Sequence, residues 1–147
     1  MNMRNSPSRR SSGARRGNAV LEMILVLPVL LMLAFGIADY GYFFYVKNCV
    51  QQAAQAGARL AISSSSTNSK VTTLVSQMMT SAGLSSSGYT LTTTPSDIAT
   101  ASTGSAVTVT ISISWANVGG HALASGYGGI SNSKAITGTA VMYKEPT

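Results

Sequence analysis

The sequence predicts an α+β protein in which one long N-terminal helix, membrane-spanning in its first part, packs its C-terminal half against a small antiparallel sheet. Three observations predict it. From Ala19 to Val46 apolar residues dominate almost without a break. From Val50 the pattern becomes amphipathic, with Val50, Ala53, Ala54, Gly57, Ala58 and Ala61 set against Gln51, Gln52, Gln55 and Arg59. From Val107 to Trp115 the period changes to two, with Val107, Val109, Ile111, Ile113 and Trp115 alternating with Thr108, Thr110, Ser112 and Ser114.

Residues 1–16 are rich in Arg, Ser and Asn, contain Pro7 and lack a hydrophobic period, so they are expected to be disordered. Residues 18–62 form one helix, transmembrane to about residue 46 and about 67 Å long at 1.5 Å per residue. Pro28 removes a backbone donor inside it and is expected to kink it. The serine run Ser63–Ser66 ends it. A second helix fits residues 69–82, with Val71, Leu74, Val75, Met78 and Ala82 on one face, Asn68 or Ser69 as cap and Gly83 as stop. Strands follow at residues 89–93, 107–115 and 135–143, the last two separated by a Gly-rich loop at 119–129. Residues 63–147 form a small domain whose thin core needs a cover. The second helix and residues 47–62 of the long helix are the available covers.

The formal charge of +6 is unevenly placed. Arg4, Arg9, Arg10, Arg15 and Arg16 all precede Gly17; beyond it five basic residues face four acidic ones, a net +1. A basic arm can bind nucleic acid, but no aromatic residue is interleaved among these arginines for base stacking. Beside a membrane-length apolar segment, the arm reads as a topology signal that holds the N-terminus in the cytoplasm, and no nucleic-acid partner is expected.

Three readings compete for residues 1–46. In the first, the segment is a plain single-pass anchor in the lipid bilayer. Glu22 and Asp39 would then bracket about 26 Å of helix, and Tyr40, Tyr42, Phe43, Phe44 and Tyr45 would form an interfacial belt. In the second, it is a cleaved secretory signal with a small-x-small site at Gly36-Ile37-Ala38. Glu22 interrupts that apolar region, and the mature chain would begin with the apolar, aromatic DYGYFFYV. The third starts from Gly17-Asn18-Ala19-Val20-Leu21-Glu22, where a glycine follows basic residues and a glutamate stands five positions on.

That arrangement resembles the processing site of type IV prepilins, in which a membrane peptidase cuts after the glycine on the cytoplasmic side. Gly17, Ala19, Glu22, Leu27-Pro28, Phe35-Gly36, Asp39 followed by Gly41, and the run Ala53-Ala54 to Gly57-Ala58-Arg59 together resemble the N-terminal segment of TadE-like proteins, minor pilins or pseudopilins of the tight-adherence (Flp/Tad) pilus system. The resemblance covers about residues 15–61. Position 39 carries Asp where such segments more often carry Glu. It implies a pilin-like fold, a cleaved basic leader at residues 1–17 with Gly17 and Asn18 flanking the cut, and Glu22 and Asp39 as assembly residues. It also implies a bacterial inner-membrane protein whose C-terminal domain lies in the periplasm or on the pilus at the cell surface. The partners it implies are the prepilin peptidase, other major and minor pilins, and the inner-membrane assembly platform, in a filament used for adherence. The alternative is an uncleaved, membrane-anchored exported binding protein.

On this reading Glu22 neutralises the amine freed on Asn18 of an incoming subunit. A carboxylate near a helix N-terminus is also favourable by about 0.3–1 kcal/mol through the exposed N–H groups. Pro28, Gly36 and Gly57 are the expected helix-packing positions. Cys49, Ala53, Gly57 and Ala61 recur every four residues, with Ala34 and Ala38 higher up, a spacing that lets helices approach closely and would form a seam between subunits.

No catalytic residue, metal site or cofactor is expected. His121 stands alone in the loop GGHALASGYGG, which also lacks the lysine of a phosphate-binding loop. Cys49 is the single cysteine, so an intramolecular disulfide is impossible.

Overall fold

The computed structural model describes residues 13–118 and 130–146. The expectations for residues 1–12 and for loop 119–129, including His121, lie outside them.

Helix α1 runs from Gly13 to Ala61, 49 residues. It begins five residues before the predicted start at residue 18. It remains one helix through Pro28. Beyond Ile62 the chain turns at Ser63–Ser66, as the serine run suggested.

Helix α2 spans Asn68–Ser81. Its cap is Thr67, whose hydroxyl accepts from the Lys70 amide at 3.4 Å, and not Asn68 or Ser69. Asn68 is occupied elsewhere: its Oδ1 accepts from the Ile98 amide at 3.0 Å and its Nδ2 donates to the Ser96 carbonyl. Gly83, at φ +73°, ends the helix, with the Leu84 amide reaching back to the Met79 carbonyl at 2.8 Å. Val71, Val75 and Met79 are the buried residues. The predicted Met78, Leu74 and Ala82 flank that face and are half-buried.

Strands β1 (Thr90–Thr94), β2 (Ala106–Ser114) and β3 (Ala135–Tyr143) form one antiparallel sheet in the order β1-β2-β3. Thr110 stands opposite Thr92 on one side and Thr139 on the other. Trp115, predicted as the last residue of its strand, instead opens a 3-10 turn over Trp115–Asn117, though its ring remains buried. The inner face of β2 contributes Val107, Val109, Ile111 and Ile113; β3 contributes Ile136, Gly138 and Ala140. These pack on Val46, Val50, Ala53, Ala54, Ala58 and Ala61 of α1. The sheet thus borrows its core from the helix, as a thin 85-residue domain requires.

β3 runs alongside α1 in the same direction. A β-carbon built on Gly138 would lie 2.7 Å from the Val50 carbonyl oxygen, so glycine alone allows this approach of backbone to backbone. Gln51 then acts as a one-residue strand partner at the free edge of β3: its Nε2 donates to the Thr139 carbonyl at 2.9 Å and its Oε1 accepts from the Thr139 amide at 3.3 Å.

At the far end, Lys144 is buried and its ammonium caps the C-terminus of α1. The Nζ donates to the carbonyls of Ser63 (2.9 Å), Ala61 (3.3 Å) and Ile98 (3.5 Å). These include helix-end carbonyls with no intrahelical partner. Lys144→Met keeps the stem and removes the donors. It is expected to cost about 2 kcal/mol, because hydrogen bonds to charged groups are strong and buried acceptors would be orphaned. That corresponds to a fall of roughly 8–16 °C in unfolding midpoint. An unchanged midpoint of the detergent-solubilised chain would show that water caps the helix equally well.

Candidate functional site

The apolar half of α1 stands clear of the folded body. Residues 19–38 are exposed, apart from half-exposed Gly36, and no core residue comes from them. Twenty residues span about 30 Å, the thickness of a bilayer's hydrocarbon. α1 is long and apolar enough to cross a membrane.

The sheet domain reaches further up this helix than residues 47–62 alone. Trp115 packs edge-on against Phe43 at 5.3 Å between ring centres and at a tilt against Tyr42 at 5.9 Å. Val46 is fully buried. Of the five aromatic residues that read as a belt, Tyr42 and Phe43 therefore pack within the protein, while Tyr40, Phe44 and Tyr45 stay exposed. Long-range pairing with Trp115 decides the difference, and sequence spacing does not encode it.

The predicted site residues fall into two groups. Gly17 and Asn18 lie within α1, and Glu22 and Pro28 lie on its exposed arm. Gly17 is helical, and glycine, about 1 kcal/mol weaker than alanine in a helix, makes this one of its weaker positions. Glu22 is exposed and has no hydrogen-bond or ion-pair partner among the described residues. Asp39, by contrast, is only 4 % exposed. It lies one turn before Tyr42 and Phe43, where the folded body begins, and makes no hydrogen bond among the described residues.

The row of small residues divides at the same level. Ala53, Gly57 and Ala61 are buried inside the chain's own core. A β-carbon on Gly57 would meet Val75 at 3.1 Å and Val109 at 3.4 Å, so Gly57 is where α2 and β2 close over α1. This part of the row therefore forms an internal seam, correcting its assignment to subunit contacts. Gly36, with nothing within 4 Å of a built β-carbon, and Ala34 and Ala38 remain outward-facing.

Sequence reading missed Gly138, Gln51 and Lys144. A glycine inside a strand pattern was the available signal for Gly138; the other two had none. Among the described residues no cluster of His, Cys, Asp or Glu could hold a metal.

No curated protein and no solved structure matches the chain. The family model of TadE-like proteins matches residues 17–59, from the glycine of the basic-to-apolar junction to the arginine near the end of α1. Family and apolar helix together suggest a pilin-like component of a Tad system. Over this N-terminal segment, residues 17–59, the chain is similar to the TadE-like protein family.

Proposed function

We propose that this protein is a structural minor pilin or pseudopilin. It is cut after Gly17, anchored by residues 19–38 in the inner membrane, and assembled with other pilins into a Tad pilus used for adherence. The observation that carries the reading is the bare apolar arm of α1. Its sequence matches the family from Gly17 onward, and its hydrocarbon-length stretch ends where the sheet domain begins. The five leader arginines hold the N-terminus in the cytoplasm, and the domain lies on the periplasmic side or on the filament. The prepilin peptidase and the assembly platform are the partners this route requires.

Mass spectrometry of the mature N-terminus tests the reading. The chain should begin at Asn18 and be 147 minus 17, or 130, residues long. Gly17→Leu should leave the precursor uncut, since a branched side chain both strengthens the local helix and fills the space a cleft must close around. A native N-terminus at Asp39 would instead establish a secretory signal, and an intact Met1 terminus an uncleaved anchor.

A further inference from the structure

The four lysines of this chain divide into two pairs. The Lys70 ammonium donates to the Ser65 carbonyl at 2.8 Å, and the Lys144 ammonium is held by three carbonyls. The ammoniums of Lys47 and Lys134 have no hydrogen-bond or ion-pair partner among the described residues. Yet these two, 87 positions apart in sequence, line one cleft of about 260 Å³ with Phe43, Ala135, Ile136 and Thr137. Lys47 also borders a second hollow of about 420 Å³ beside Phe44, Asn48 and Gln51.

The cleft lies at the end of the domain nearest the apolar arm. The direction of β3 along α1 places it there: Ala135 and Ile136 meet the level of Phe43, Gly138 meets Val50, and Lys144 meets Ala61. No exposed carboxylate accompanies it. Asp39 is buried, and Asp97 and Glu145 belong to the opposite end, where the Glu145 amide binds the Ile62 carbonyl and Asp97 adjoins Ile98 at the Lys144 cap. Two like charges therefore line one cleft, with no counter-charge beside them among the described residues, at the end of the domain nearest the apolar arm.

We infer that the Lys47–Lys134 cleft binds the phosphate of an anionic phospholipid headgroup; the inference rests on the membrane reading above. Depth supports it. Lys47 stands nine residues beyond Ala38, about 13 Å along the helix. The headgroup layer adds roughly 5–8 Å beyond the hydrocarbon, and a lysine stem reaches across the remainder. Between them, exposed Tyr40 and Phe44 stand at the level where aromatic side chains favour the interface. A phosphodiester bearing no cation of its own neutralises both ammoniums. A zwitterionic choline lipid would bring a third cation to the cleft.

The test uses the full-length chain in a neutral maltoside detergent, with dioctanoyl phosphatidylglycerol, dioctanoyl phosphatidylcholine or inorganic phosphate added, and native mass spectrometry as readout. One phosphatidylglycerol should be retained in clear preference to phosphatidylcholine. Retention should fall roughly fivefold for each of Lys47→Gln and Lys134→Gln, from the worth of about one surface lysine to an anionic lipid. Lys70→Gln should change nothing. Both lysines are exposed, so an unchanged unfolding midpoint certifies the variants. Equal retention of the two lipids, or of phosphatidylglycerol by wild type and double variant, would overturn the inference. So would displacement of the lipid by equimolar inorganic phosphate, which would make free phosphate the ligand, or loss of pilin co-purification in the double variant with lipid retention intact, which would make a neighbouring subunit the occupant. Flotation with pure phosphatidylcholine vesicles separates the two levels: a chain that fails to float overturns the membrane reading, whereas one that floats but shows no lipid preference overturns only the headgroup site.

Discussion

Gly138→Val is expected to detach the sheet from the helix and leave the domain unfolded. The first atom of any side chain there would lie 2.7 Å from the Val50 carbonyl oxygen and 2.9 Å from both the Gln51 nitrogen and the Val50 carbonyl carbon. All three are backbone atoms, which cannot rotate away as a flexible side chain would. Relief requires α1 and β3 to move apart. That movement also breaks the paired Gln51–Thr139 hydrogen bonds and opens the contact between Val50 and the inner face of β2 and β3. Overpacking alone costs about 1–3 kcal/mol where side chains can adjust; with a rigid backbone and two hydrogen bonds lost, about 4 kcal/mol or more is expected. Small domains have only about 5–15 kcal/mol in total. Near-ultraviolet circular dichroism, dominated by buried Trp115 and its aromatic neighbours, should collapse while α1 keeps its far-ultraviolet signal. Gly138→Ala should be intermediate. Equal unfolding midpoints for glycine, alanine and valine would refute the close approach.

This contact also marks the limit of what the sequence displayed. Periodicity is a local property, and the elements it governs were legible: the strict alternation of β2, the bounds of β3 at Ala135 and Tyr143, the Gly83 stop of α2, and the amphipathic switch in α1 near Val50. Fold class followed, because a one-sided sheet needs a cover and the second helix and residues 47–62 of α1 were available to supply it. What escaped was set by contacts between residues far apart in the chain. Lys144 reads as an ordinary charge near a C-terminal strand until β3 is laid along α1 and its ammonium reaches the last turn, more than eighty residues away. Phe43 reads as a lipid-facing aromatic until Trp115 is folded onto it. Gly57 was visible as an anomaly, since glycine weakens a helix, but sequence spacing cannot say whether the surface it clears belongs to a neighbour or to the same chain; Val75 and Val109 answer that.

The same division applies to the candidate site. The residues on which the cleavage proposal rests lie in one continuous stretch, Arg15 to Glu22, and are read from the sequence alone. The boundary between arm and body could not be read there, because it depends on where the sheet stops. Asp39 lies on that boundary. On the plain-anchor reading of the sequence, Asp39 and Glu22 were alike, two carboxylates bracketing an apolar span. In the structure one is buried and the other is bare, so only Glu22 is directly available to another chain.

Glu22→Gln is accordingly expected to abolish incorporation into pilin complexes while sparing insertion and most of the processing. An ionised carboxylate inside a bilayer costs about 2.5–3.5 kcal/mol on insertion scales, and nothing within the chain offsets it for Glu22 among the described residues. Cleavage after Gly17 would place a new ammonium on Asn18, four residues and about 6 Å along the helix from Glu22. When two mature chains meet in the membrane, the amine of one and the carboxylate of the other can pair, in surroundings that strengthen the attraction well beyond its value in water. Glutamine matches glutamate in size and keeps most of its hydrogen bonding, so it isolates the charge. Insertion should survive, since a neutral amide is easier to bury than a carboxylate. Cleavage should survive, since the glycine and the basic leader remain. Assembly should not, because one partner of a buried pair would be left unpaired at a cost of about 3–5 kcal/mol, a factor of 100 or more in affinity. Crosslinking and pull-down of mature subunits, wild type against Glu22→Gln at matched membrane levels, reads this directly. Equal recovery of partner pilins would show that the charge at position 22 plays no part in assembly, and the carboxylate would then be no more than a polar residue at the headgroup level.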